Sequence, residues 1–407
     1  MKEQEIRSIL TKYNQEHLLN FYEELSEQDK NKLLSQIDSI DWSFTDYLSN
    51  GNRKKESIIT PIDAVSLDKI ELSRDKYYQI GVETIKSGKL CLLLLAGGQG
   101  TRLGYDKPKG AFNMGINKDL FIFQLLIEHT LKIVNETDTW IHLFIMTSDI
   151  NHDDTVSFFN EHNNFGYKSE YLHFFIQEMN PATDFNGKIL MSSPSSIALS
   201  PNGNGGWFST MENAGLIDKI TDLNIEWINV FAVDNVLQGI ADPVFLGATL
   251  AENKTCGAKV VRKASPDEKV GAICLENNKP HIIEYYELSE EMRNQKNPDG
   301  SLAYGFGVTL NYLFPIKNLH DTLKLKMPLH RVKKSVPYID SNKNMIQPSE
   351  PNGYKFETLA LDLIHEMDDC MVFEVDREKE FAPVKNKSGV DSIDTARELL
   401  TKNGYEL

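Results

Sequence analysis

The sequence predicts a Rossmann-like α/β fold with a mixed, mainly parallel sheet and helices on both of its faces. Apolar runs of strand length recur between residues 90 and 232, and helix-like stretches separate them. Parallel strands need long crossover connections that are usually helical, so this alternation is typical of a mainly parallel sheet. A glycine-rich segment follows the first apolar run directly, at the strand end where open α/β sheets bind their ligands.

Residues 1–85 are predicted to form a helical N-terminal segment with a packing role. Leu18, Tyr22 and Leu25 have the spacing of residues on one helical face. Ser26 is a plausible start of the next helix, because a serine hydroxyl accepts an unpaired backbone N–H group. This segment precedes the predicted catalytic core.

The predicted core covers residues 86–335, and residues 336–407 form a short C-terminal extension that completes the active site. The main strands are predicted at residues 90–96, 141–146, 171–176 and 225–232. Helices are predicted at residues 121–134 and 155–161. Short strands at residues 258–261, 271–275 and 281–285 suggest an antiparallel insertion beside the main sheet, with a turn at residues 276–279 and a last strand at 371–375.

Charge and cysteine content exclude several classes of partner. The chain has 407 residues and a formal net charge of −16 at pH 7. An acidic surface repels nucleic acid and anionic membranes, so neither is an expected partner, and an anionic nucleotide would need local basic groups. The four cysteines lack zinc-ligand spacing, and the first residues lack a hydrophobic signal segment, so a cytoplasmic location is expected. The oligomeric state is left open, with a monomer as one expectation.

The strongest functional signal is a glycine-rich loop that carries basic residues. Its sequence is Leu95-Ala96-Gly97-Gly98-Gln99-Gly100-Thr101-Arg102-Leu103-Gly104, followed by Pro108-Lys109-Gly110. Glycines let the backbone approach phosphate oxygens and present several N–H donors to them. Arg102 and Lys109 add positive charge, which suits a triphosphate because phosphoryl-type transfer depends on alignment and charge stabilisation.

Other glycine motifs fit this loop less well. A P-loop needs Lys and Ser or Thr after its glycine, whereas Gly104 is followed by Tyr105 and Asp106. The dinucleotide-binding pattern G-x-G-x-x-G needs a third glycine one residue earlier than Gly104, which leaves a dehydrogenase as a distant alternative. A plain turn that caps a helix would explain the glycines alone, but it gives no reason for Arg102 and Lys109.

Residues 95–110 resemble the signature of the UDP-sugar pyrophosphorylases, and within that family the branch that acts on N-acetylglucosamine 1-phosphate. Segments similar to other motifs of the family follow in the same order, at residues 201–206, 233–235, 284–285, 351–355 and 380–386. The resemblance reaches from residues 15–19 to Lys385. It implies a GT-A-like nucleotidyltransferase fold and a reaction that makes UDP-N-acetylglucosamine and pyrophosphate from UTP and N-acetylglucosamine 1-phosphate.

The resemblance assigns UTP-binding roles along much of the chain. The residues are Leu95, Ala96, Gly97, Gly98, Lys109, Gln177, Gly203, Asp234 and Lys355. An amide such as that of Gln177 offers a donor and an acceptor to the uracil edge. Asp234 follows an apolar run, where a carboxylate can hold Mg²⁺ against phosphate oxygens, and the resemblance implies this metal role. Taken singly, Gln177 could also be a solvated strand end and Asp234 a turn residue.

For the sugar 1-phosphate, the resemblance implies contacts from Asn204, Glu284, Tyr285, Asn311 and Lys385. It also implies that Arg102, Lys109 and Lys385 act as catalytic cations during attack of a sugar-phosphate oxygen on the α-phosphorus of UTP. Two anions at about 4 Å repel each other by a few kcal/mol at surface-like dielectric, so nearby cations lower the barrier. The attacking phosphate is already ionised, and no general base is expected.

One departure from the family pattern concerns the sugar. The family has Gly-Asn-x-x-Asn-His where this chain has Gly307-Val308-Thr309-Leu310-Asn311-Tyr312. Val308 replaces a sugar-contacting asparagine and cannot hydrogen-bond, so glucose and galactose 1-phosphate stay alternative substrates. A catalytically silent regulator that binds a nucleotide sugar is a further alternative. The joint retention of four residues argues against it, namely Arg102, Lys109, Asp234 and Lys385.

Overall fold

The computed structural model describes residues 3–45, 57–325 and 327–407. The helices are α1 (Glu3–Lys12), α2 (Glu27–Asp38), α3 (Leu67–Leu72), α4 (Arg74–Lys86), α5 (Ile122–Thr137), α6 (His152–Glu161), α7 (Trp207–Asn213), α8 (Leu216–Asp222), α9 (Pro243–Ala251), α10 (Glu290–Asn294), α11 (Ile316–Thr322), α12 (Asp362–His365), α13 (Arg377–Glu380) and α14 (Ile393–Lys402). None of the helices in those ranges has the length and apolar character that a membrane crossing requires.

The strands are short except for one ten-residue strand near the middle of the chain. They are β1 (Ile59–Pro61), β2 (Leu90–Leu95), β3 (His142–Thr147), β4 (Leu172–Ile176), β5 (Met179–Pro181), β6 (Thr183–Asp184), β7 (Met191–Ser193), β8 (Ser196–Ile197), β9 (Leu199–Pro201), β10 (Trp227–Ala232), β11 (Gly257–Arg262), β12 (Ala272–Glu276), β13 (Lys279–Ile283), β14 (Phe306–Pro315), β15 (His330–Lys334), β16 (Tyr338–Ile339), β17 (Met345–Ile346), β18 (Gly353–Glu357) and β19 (Met371–Glu374).

Contacts between Cα atoms divide the chain into two compact units. The first unit takes the described residues of Met1–Glu56, Glu178–Gly206 and Met327–Ala360, and the second takes those of Ser57–Gln177, Trp207–Lys326 and Leu361–Leu407. This division differs from the three consecutive segments predicted from sequence, because the chain leaves and re-enters each unit. Residues 46–56 of the predicted helical segment lie outside the described residues.

The second unit is built around a ten-stranded sheet. On one side of the sheet, β10, β2, β3 and β4 are parallel neighbours in that order, and β4 is the last strand of the strand order. Strand β14 lies antiparallel beside β10 and also pairs with β11 and β12, while β19 joins β11 in parallel. The predicted mixed, mainly parallel sheet is confirmed. The predicted antiparallel insertion is wrong in one respect, because β14 makes its strands part of the main sheet.

Burial on both faces explains why the central strands were visible in the sequence. All six residues of β2 and all six of β10 are buried. Strands covered on both faces are nearly continuous apolar runs, so their bounds follow from composition alone. Helix α5 adds a buried face to the same core, with Phe123 and Leu126 among its buried residues.

Two local features decide the shape of the antiparallel part of the sheet. The predicted turn at residues 276–279 is confirmed, and Asn277 and Asn278 have φ angles of 51° and 67° that asparagine tolerates well. Strand β14 was not predicted from the sequence. Its register against β11 shifts between Ala258 and Val260, and Leu310 within it has φ of 53°, so β14 carries a bulge that breaks regular alternation.

The first unit has its own apolar core. Ile6 and Leu10 of α1 and Ile37 of α2 pack with Phe356 of β18. Ser26 begins α2 as predicted, since its hydroxyl accepts the backbone N–H of Asp29. The single helical face predicted across Leu18 to Leu25 is wrong, because Glu16–Leu19 and Tyr22–Glu24 are two short 3₁₀ helices.

Candidate active site

The glycine-rich loop leaves β2 and folds back on itself in the second unit. The Leu95 carbonyl accepts the Val233 N–H at 3.2 Å, and the Ala96 N–H donates to the Met146 carbonyl at 2.8 Å. The N–H of Lys109 then donates to the Gly98 carbonyl at 3.1 Å. This backbone bond closes the loop, so the Lys109 side chain starts beside the glycines predicted to bind phosphate.

A buried asparagine that sequence reasoning missed fixes the start of this loop. The Asn151 side-chain amide donates to the carbonyls of Ala96 at 2.9 Å and Gly98 at 3.3 Å. Its own oxygen accepts the Ser148 N–H at 2.8 Å, and the residue has no exposed surface. The available signal was a Ser-x-x-Asn turn directly after an apolar run, at the same edge of the sheet as the glycine loop.

The structure brings the predicted uracil-binding glutamine against the glycine loop. The Gln177 N–H donates to the Thr147 carbonyl at 2.8 Å, which places the residue immediately after β4. A Cβ atom added at Gly97 would lie 2.9 Å from the Gln177 side-chain oxygen. Position 97 therefore admits only glycine without displacing the amide, and Gly98 has open space around it.

Asp234 and Lys109, which are distant in sequence, form an ion pair. The Lys109 ammonium lies 3.8 Å from a carboxylate oxygen of Asp234, and their side chains are 15% and 28% exposed. The pair follows from the parallel register of β2 and β10, because the glycine loop leaves β2 at Leu95 and Asp234 follows β10 at Ala232. This ion pair joins the predicted phosphate-binding loop to the predicted metal ligand.

Arg102 stands apart from the other predicted cations because it is exposed. It lies in the short 3₁₀ helix Thr101–Leu103, and Leu103 anchors that turn in the core. Across the described residues, the Arg102 guanidinium has no hydrogen bond or ion pair. Its charge is therefore available to a ligand without breaking an existing contact.

The C-terminal part of the second unit is hydrogen-bonded to the Asp234 segment. The Val384 N–H donates to the Asp234 carbonyl at 2.7 Å, and the Asn235 side chain accepts the Ala382 N–H at 2.9 Å. Lys385 follows Val384 directly, and its ammonium donates to Asp391 at 3.2 Å. The backbone pairing thus places Lys385 on the segment that runs beside Asp234.

A buried lysine, Lys259, forms ion pairs with two carboxylates, and one of them belongs to Glu380 at the start of this C-terminal segment. The Lys259 ammonium lies 2.7 Å from Asp242 and 2.6 Å from Glu380, and the Lys259 side chain is 1% exposed. Burial alone would lower the pKa of Lys259, but the two carboxylates outweigh burial and hold that pKa above its usual range. A lone lysine inside the apolar run at residues 258–261 was the sequence signal for this network.

We expect Lys259→Met to destabilise the second unit strongly, because it leaves Asp242 and Glu380 without their buried counter-charge. Removing one partner of a buried ion pair typically costs about 3–5 kcal/mol. Urea denaturation should show this loss. The matched control is Lys254→Met, whose partner Asp369 is 41% exposed, and the expected loss there is below about 1 kcal/mol. Equal stability of the two variants would contradict the role given to Lys259.

The predicted sugar-binding residues of the second unit have different surroundings. Glu284 and Tyr285 lie in the turn after β13, not in the predicted strand, and Tyr285 is 37% exposed. Asn311 has no exposed surface, and its amide bonds to Asn229 at 2.8 Å and to the Gly239 carbonyl at 3.1 Å. The Asn311 amide therefore faces the protein interior, whereas the turn after β13 is open to solvent.

The first unit holds the remaining predicted residues, Gly203, Asn204 and Lys355. Gly203 has φ of +87°, and a Cβ atom there would lie 2.2 Å from the Thr358 carbonyl, so both conformation and space require glycine. The Asn204 side-chain oxygen accepts the Ala360 N–H at 2.9 Å. Lys355 lies in β18, and this strand is followed directly by Thr358, the residue whose carbonyl lies against Gly203. Within the first unit, the chain after β18 thus holds the loop that carries Gly203 and Asn204.

The chain matches a family model and is similar to several known proteins over nearly its whole length. Residues 37–401 match the family model described as UTP–glucose-1-phosphate uridylyltransferase. The chain is 32% identical over 432 residues to the human UDP-N-acetylhexosamine pyrophosphorylase-like protein 1, covering 99% of this chain and 85% of that protein. It is 33% identical over 426 residues to the UDP-N-acetylglucosamine pyrophosphorylase of Saccharomyces cerevisiae, covering 98% and 89%.

A solved structure extends the likeness to three dimensions. The uridine diphosphate N-acetylglucosamine pyrophosphorylase from Trypanosoma brucei, solved in complex with an inhibitor, is 27% identical to this chain. It matches with a TM-score of 0.84, over 99% of this chain and 85% of that one. The predicted fold class is confirmed by this similarity as well as by the sheet itself.

Proposed function

We propose a reaction for this chain from one premise: it belongs to the UTP–glucose-1-phosphate uridylyltransferase family, which its match over residues 37–401 establishes. The chain is a nucleotidyltransferase. In the proposed reaction, a phosphate oxygen of N-acetylglucosamine 1-phosphate attacks the α-phosphorus of UTP. The bond from that phosphorus to the bridging oxygen breaks, and pyrophosphate leaves as UDP-N-acetylglucosamine forms.

The observation that carries the proposal is the Lys109–Asp234 pair, with 3.8 Å between the ammonium and a carboxylate oxygen. A cation that enters from a glycine-rich loop next to an acidic group at a strand end is the arrangement that a triphosphate with a divalent ion needs. Lys109 would contact phosphate oxygens from one side. Gln177, against Gly97, would read the uracil edge through its amide.

The residues around Asp234 fit a magnesium ion. The Asp234 carboxylate is partly exposed, and its ion pair with Lys109 at 3.8 Å is long, so an oxygen is available as a ligand. Mg²⁺ is commonly bound by one or two carboxylates together with substrate phosphates and water. Asp234 would hold the ion, which would neutralise charge that develops on the leaving pyrophosphate.

The basic side chains of the second unit oppose the repulsion between the two anionic substrates. Arg102 is exposed and carries no partner among the described residues, so it can reach a phosphate without a competing contact. Lys385 keeps its ammonium 3.2 Å from Asp391, which orients it while leaving the side chain 35% exposed. These charges would stabilise the equatorial oxygens of the transition state, where such groups have their largest effect.

For the identity of the sugar 1-phosphate, a specific observation favours a second candidate substrate. The names of the relatives favour N-acetylglucosamine 1-phosphate, and the open turn at Glu284 and Tyr285 is a suitable place for sugar hydroxyls. Val308 favours a second candidate, glucose or galactose 1-phosphate, because it is a partly exposed apolar residue where the family pattern has an asparagine. An unpaired polar group on the substrate costs affinity, so this position bears on the choice.

The decisive experiment incubates the full chain with Mg²⁺, UTP and one of three sugar 1-phosphates, and measures pyrophosphate. Release with N-acetylglucosamine 1-phosphate at the highest kcat/KM is the expected result. Faster release with glucose or galactose 1-phosphate would select the second candidate. Release with none of the three would overturn the proposed reaction and favour a silent nucleotide-sugar-binding protein.

We expect Arg102→Ala to lower turnover at least tenfold with almost no change in stability. The charge lost is one that faces the reacting phosphates, and removal of one such group typically costs about 10²–10³ in kcat when it is fully engaged. Loss of an exposed side chain without partners changes stability by less than about 0.5 kcal/mol. Arg102→Lys is the control, and partial rescue is expected because it restores charge without the planar fork. Near-normal turnover of Arg102→Ala would remove Arg102 from the mechanism.

We place this reaction in the cytoplasm. All four cysteines are free, buried thiols, which suits a reducing compartment. Burial raises the pKa of the Cys274 thiol to about 12, so this group stays protonated and unreactive at neutral pH.

A further inference from the structure

Three side chains with metal-ligand chemistry meet in the second unit, on the β12–β13 hairpin and on α12. They are Glu276, His281 and His365, and their ligand atoms all lie within 4.8 Å of one another. Within residues 3–45, 57–325 and 327–407, no other group of three histidine, cysteine or acidic side chains is arranged in this way. None of the three takes part in the reaction proposed above.

The fold places two of these side chains on one face of the hairpin. The turn at Asn277 and Asn278 sets Glu276 opposite Lys279, and two residues further along, Cys274 lies opposite His281. Opposed residues share a face of an antiparallel pair, and so do residues two apart along one strand. Glu276 and His281 are therefore diagonal neighbours on the same face.

Helix α12 brings the third side chain to that face. The His365 ring lies across from the His281 ring, with centroids 5.2 Å apart and planes at 78°. Its Nδ1 atom lies 3.2 Å from the Pro280 carbonyl oxygen, so this nitrogen must carry the hydrogen to make a bond. A backbone carbonyl that accepts the second ring N–H is the usual way to orient a metal-binding histidine.

The other nitrogen of His365 then faces an anion. Its Nε2 atom lies 3.4 Å from the Glu276 Oε2 atom. In the neutral ring Nε2 carries a lone pair, and two lone pairs at this distance repel unless a cation lies between them. Ligand atoms bound to Zn²⁺ at about 2.0–2.1 Å in a tetrahedron are roughly 3.3–3.4 Å apart, which matches the observed separation.

We propose that Glu276, His281 and His365 form a binding site for a divalent transition metal, with Zn²⁺ as the ion that fits best. Two imidazoles and one carboxylate suit Zn²⁺ and not Mg²⁺, which prefers oxygen ligands alone. The side chains of His365 and Glu276 are 32% and 25% exposed, so an ion can enter from solvent and water can take the fourth position. The bound ion fastens α12 to β13, the strand that leads directly into Glu284 and Tyr285.

Cobalt binding tests this proposal without any measurement of activity. The full chain is treated with a chelator, dialysed and titrated with Co²⁺, whose visible absorption strengthens in tetrahedral nitrogen and oxygen coordination. One equivalent should bind and be displaced by Zn²⁺. We expect His365→Ala, His281→Gln and Glu276→Gln each to weaken Co²⁺ binding at least about tenfold.

The control is another histidine pair of the same unit, His142 and His173, whose nitrogens lie 2.9 Å apart. Lys219 lies 3.3 Å from His173 there, so a lysine stands where the proposed site has a carboxylate. His142→Gln should leave Co²⁺ binding unchanged. Zn²⁺ should also raise the melting temperature of the wild type but not that of Glu276→Gln. This variant keeps the shape of the glutamate side chain, so it still tests the site if His365→Ala fails to fold.

Two results would overturn the proposal. One is a wild-type chain that binds less than one equivalent of Co²⁺, and the other is three site variants that bind Co²⁺ as the wild type does. In either case Glu276, His281 and His365 do not form a metal site.

Discussion

Lys109→Met is expected to lower kcat by about 10²–10³-fold, the size of effect seen when a preorganised charge-stabilising donor is removed. The backbone bond from Lys109 to Gly98 holds the start of its side chain beside the glycines. The Lys109 side chain is 15% exposed, and its ammonium lies 3.8 Å from a carboxylate oxygen of Asp234. A charge so placed does not need to reorganise when negative charge develops on the phosphates. Methionine keeps the length of the apolar stem and removes only the charge.

The same loop supplies a matched control for this prediction. Lys107 is exposed, and its contribution to the loop is a backbone carbonyl that accepts the Gly100 N–H at 2.9 Å. Lys107→Met should therefore stay within about twofold of wild-type kcat, as is common for surface substitutions. Melting temperatures of both variants should remain close to that of the wild type. A Lys109→Met variant that keeps a third of wild-type turnover would exclude Lys109 as a catalytic cation.

The parts of the fold that the sequence predicted well are those where one physical cause dominates. Strands β2 and β10 are covered on both faces, so they are almost uninterrupted apolar runs and their bounds are off by one or two residues at most. The turn at Asn277 and Asn278 was equally clear, because few residues adopt positive φ at low cost. The glycine loop combined both signals, an apolar strand followed by glycines and cations.

What the sequence could not predict depends on contacts between distant residues. Asn151 holds the glycine loop from a separate turn after β3, and no local pattern reveals which carbonyls it reaches. Asn311 was predicted as a sugar ligand by position, and no local pattern reveals the bulge in β14, with Leu310 at φ of 53°, or the hydrogen bond that the Asn311 side-chain oxygen accepts from Asn229. The division into two units has the same origin, since the first unit is assembled from Met1–Glu56, Glu178–Gly206 and Met327–Ala360, which are far apart in the sequence.

The Lys109–Asp234 pair combines residues that the sequence predicted with a contact that it could not predict. Each residue was predicted for its own role, one from the loop and one from the end of an apolar run. Their separation of 3.8 Å follows from the parallel register of β2 and β10. The sequence predicted a mainly parallel sheet, but it did not predict which strands are neighbours or their register. Proximity is therefore the information that the structure adds, and it turns two separate expectations into one site.

Asp234→Asn should have the second large effect, a fall in kcat of about 100-fold or more at saturating Mg²⁺. Asparagine keeps the size of the side chain but replaces a charged oxygen with a neutral one, which is a weaker ligand for a hard cation. Loss of a correctly held metal removes several kcal/mol of charge stabilisation from the transition state. The Mg²⁺ concentration for half-maximal rate should rise, and it should be measured together with kcat.

The same substitution should leave UTP binding intact, which distinguishes a metal ligand from a residue that only holds the loop. Without the Asp234 carboxylate, the Lys109 ammonium loses its nearest anion and interacts more strongly with the triphosphate, so Kd for UTP measured without Mg²⁺ should stay equal or fall. Asp106→Asn, an exposed change within the same loop, should alter neither quantity. Wild-type turnover and wild-type Mg²⁺ dependence in Asp234→Asn would show that the ion, if one is needed, is held elsewhere. Since Lys109 and Asp234 are in contact, the double variant should lose less than the product of the two single losses.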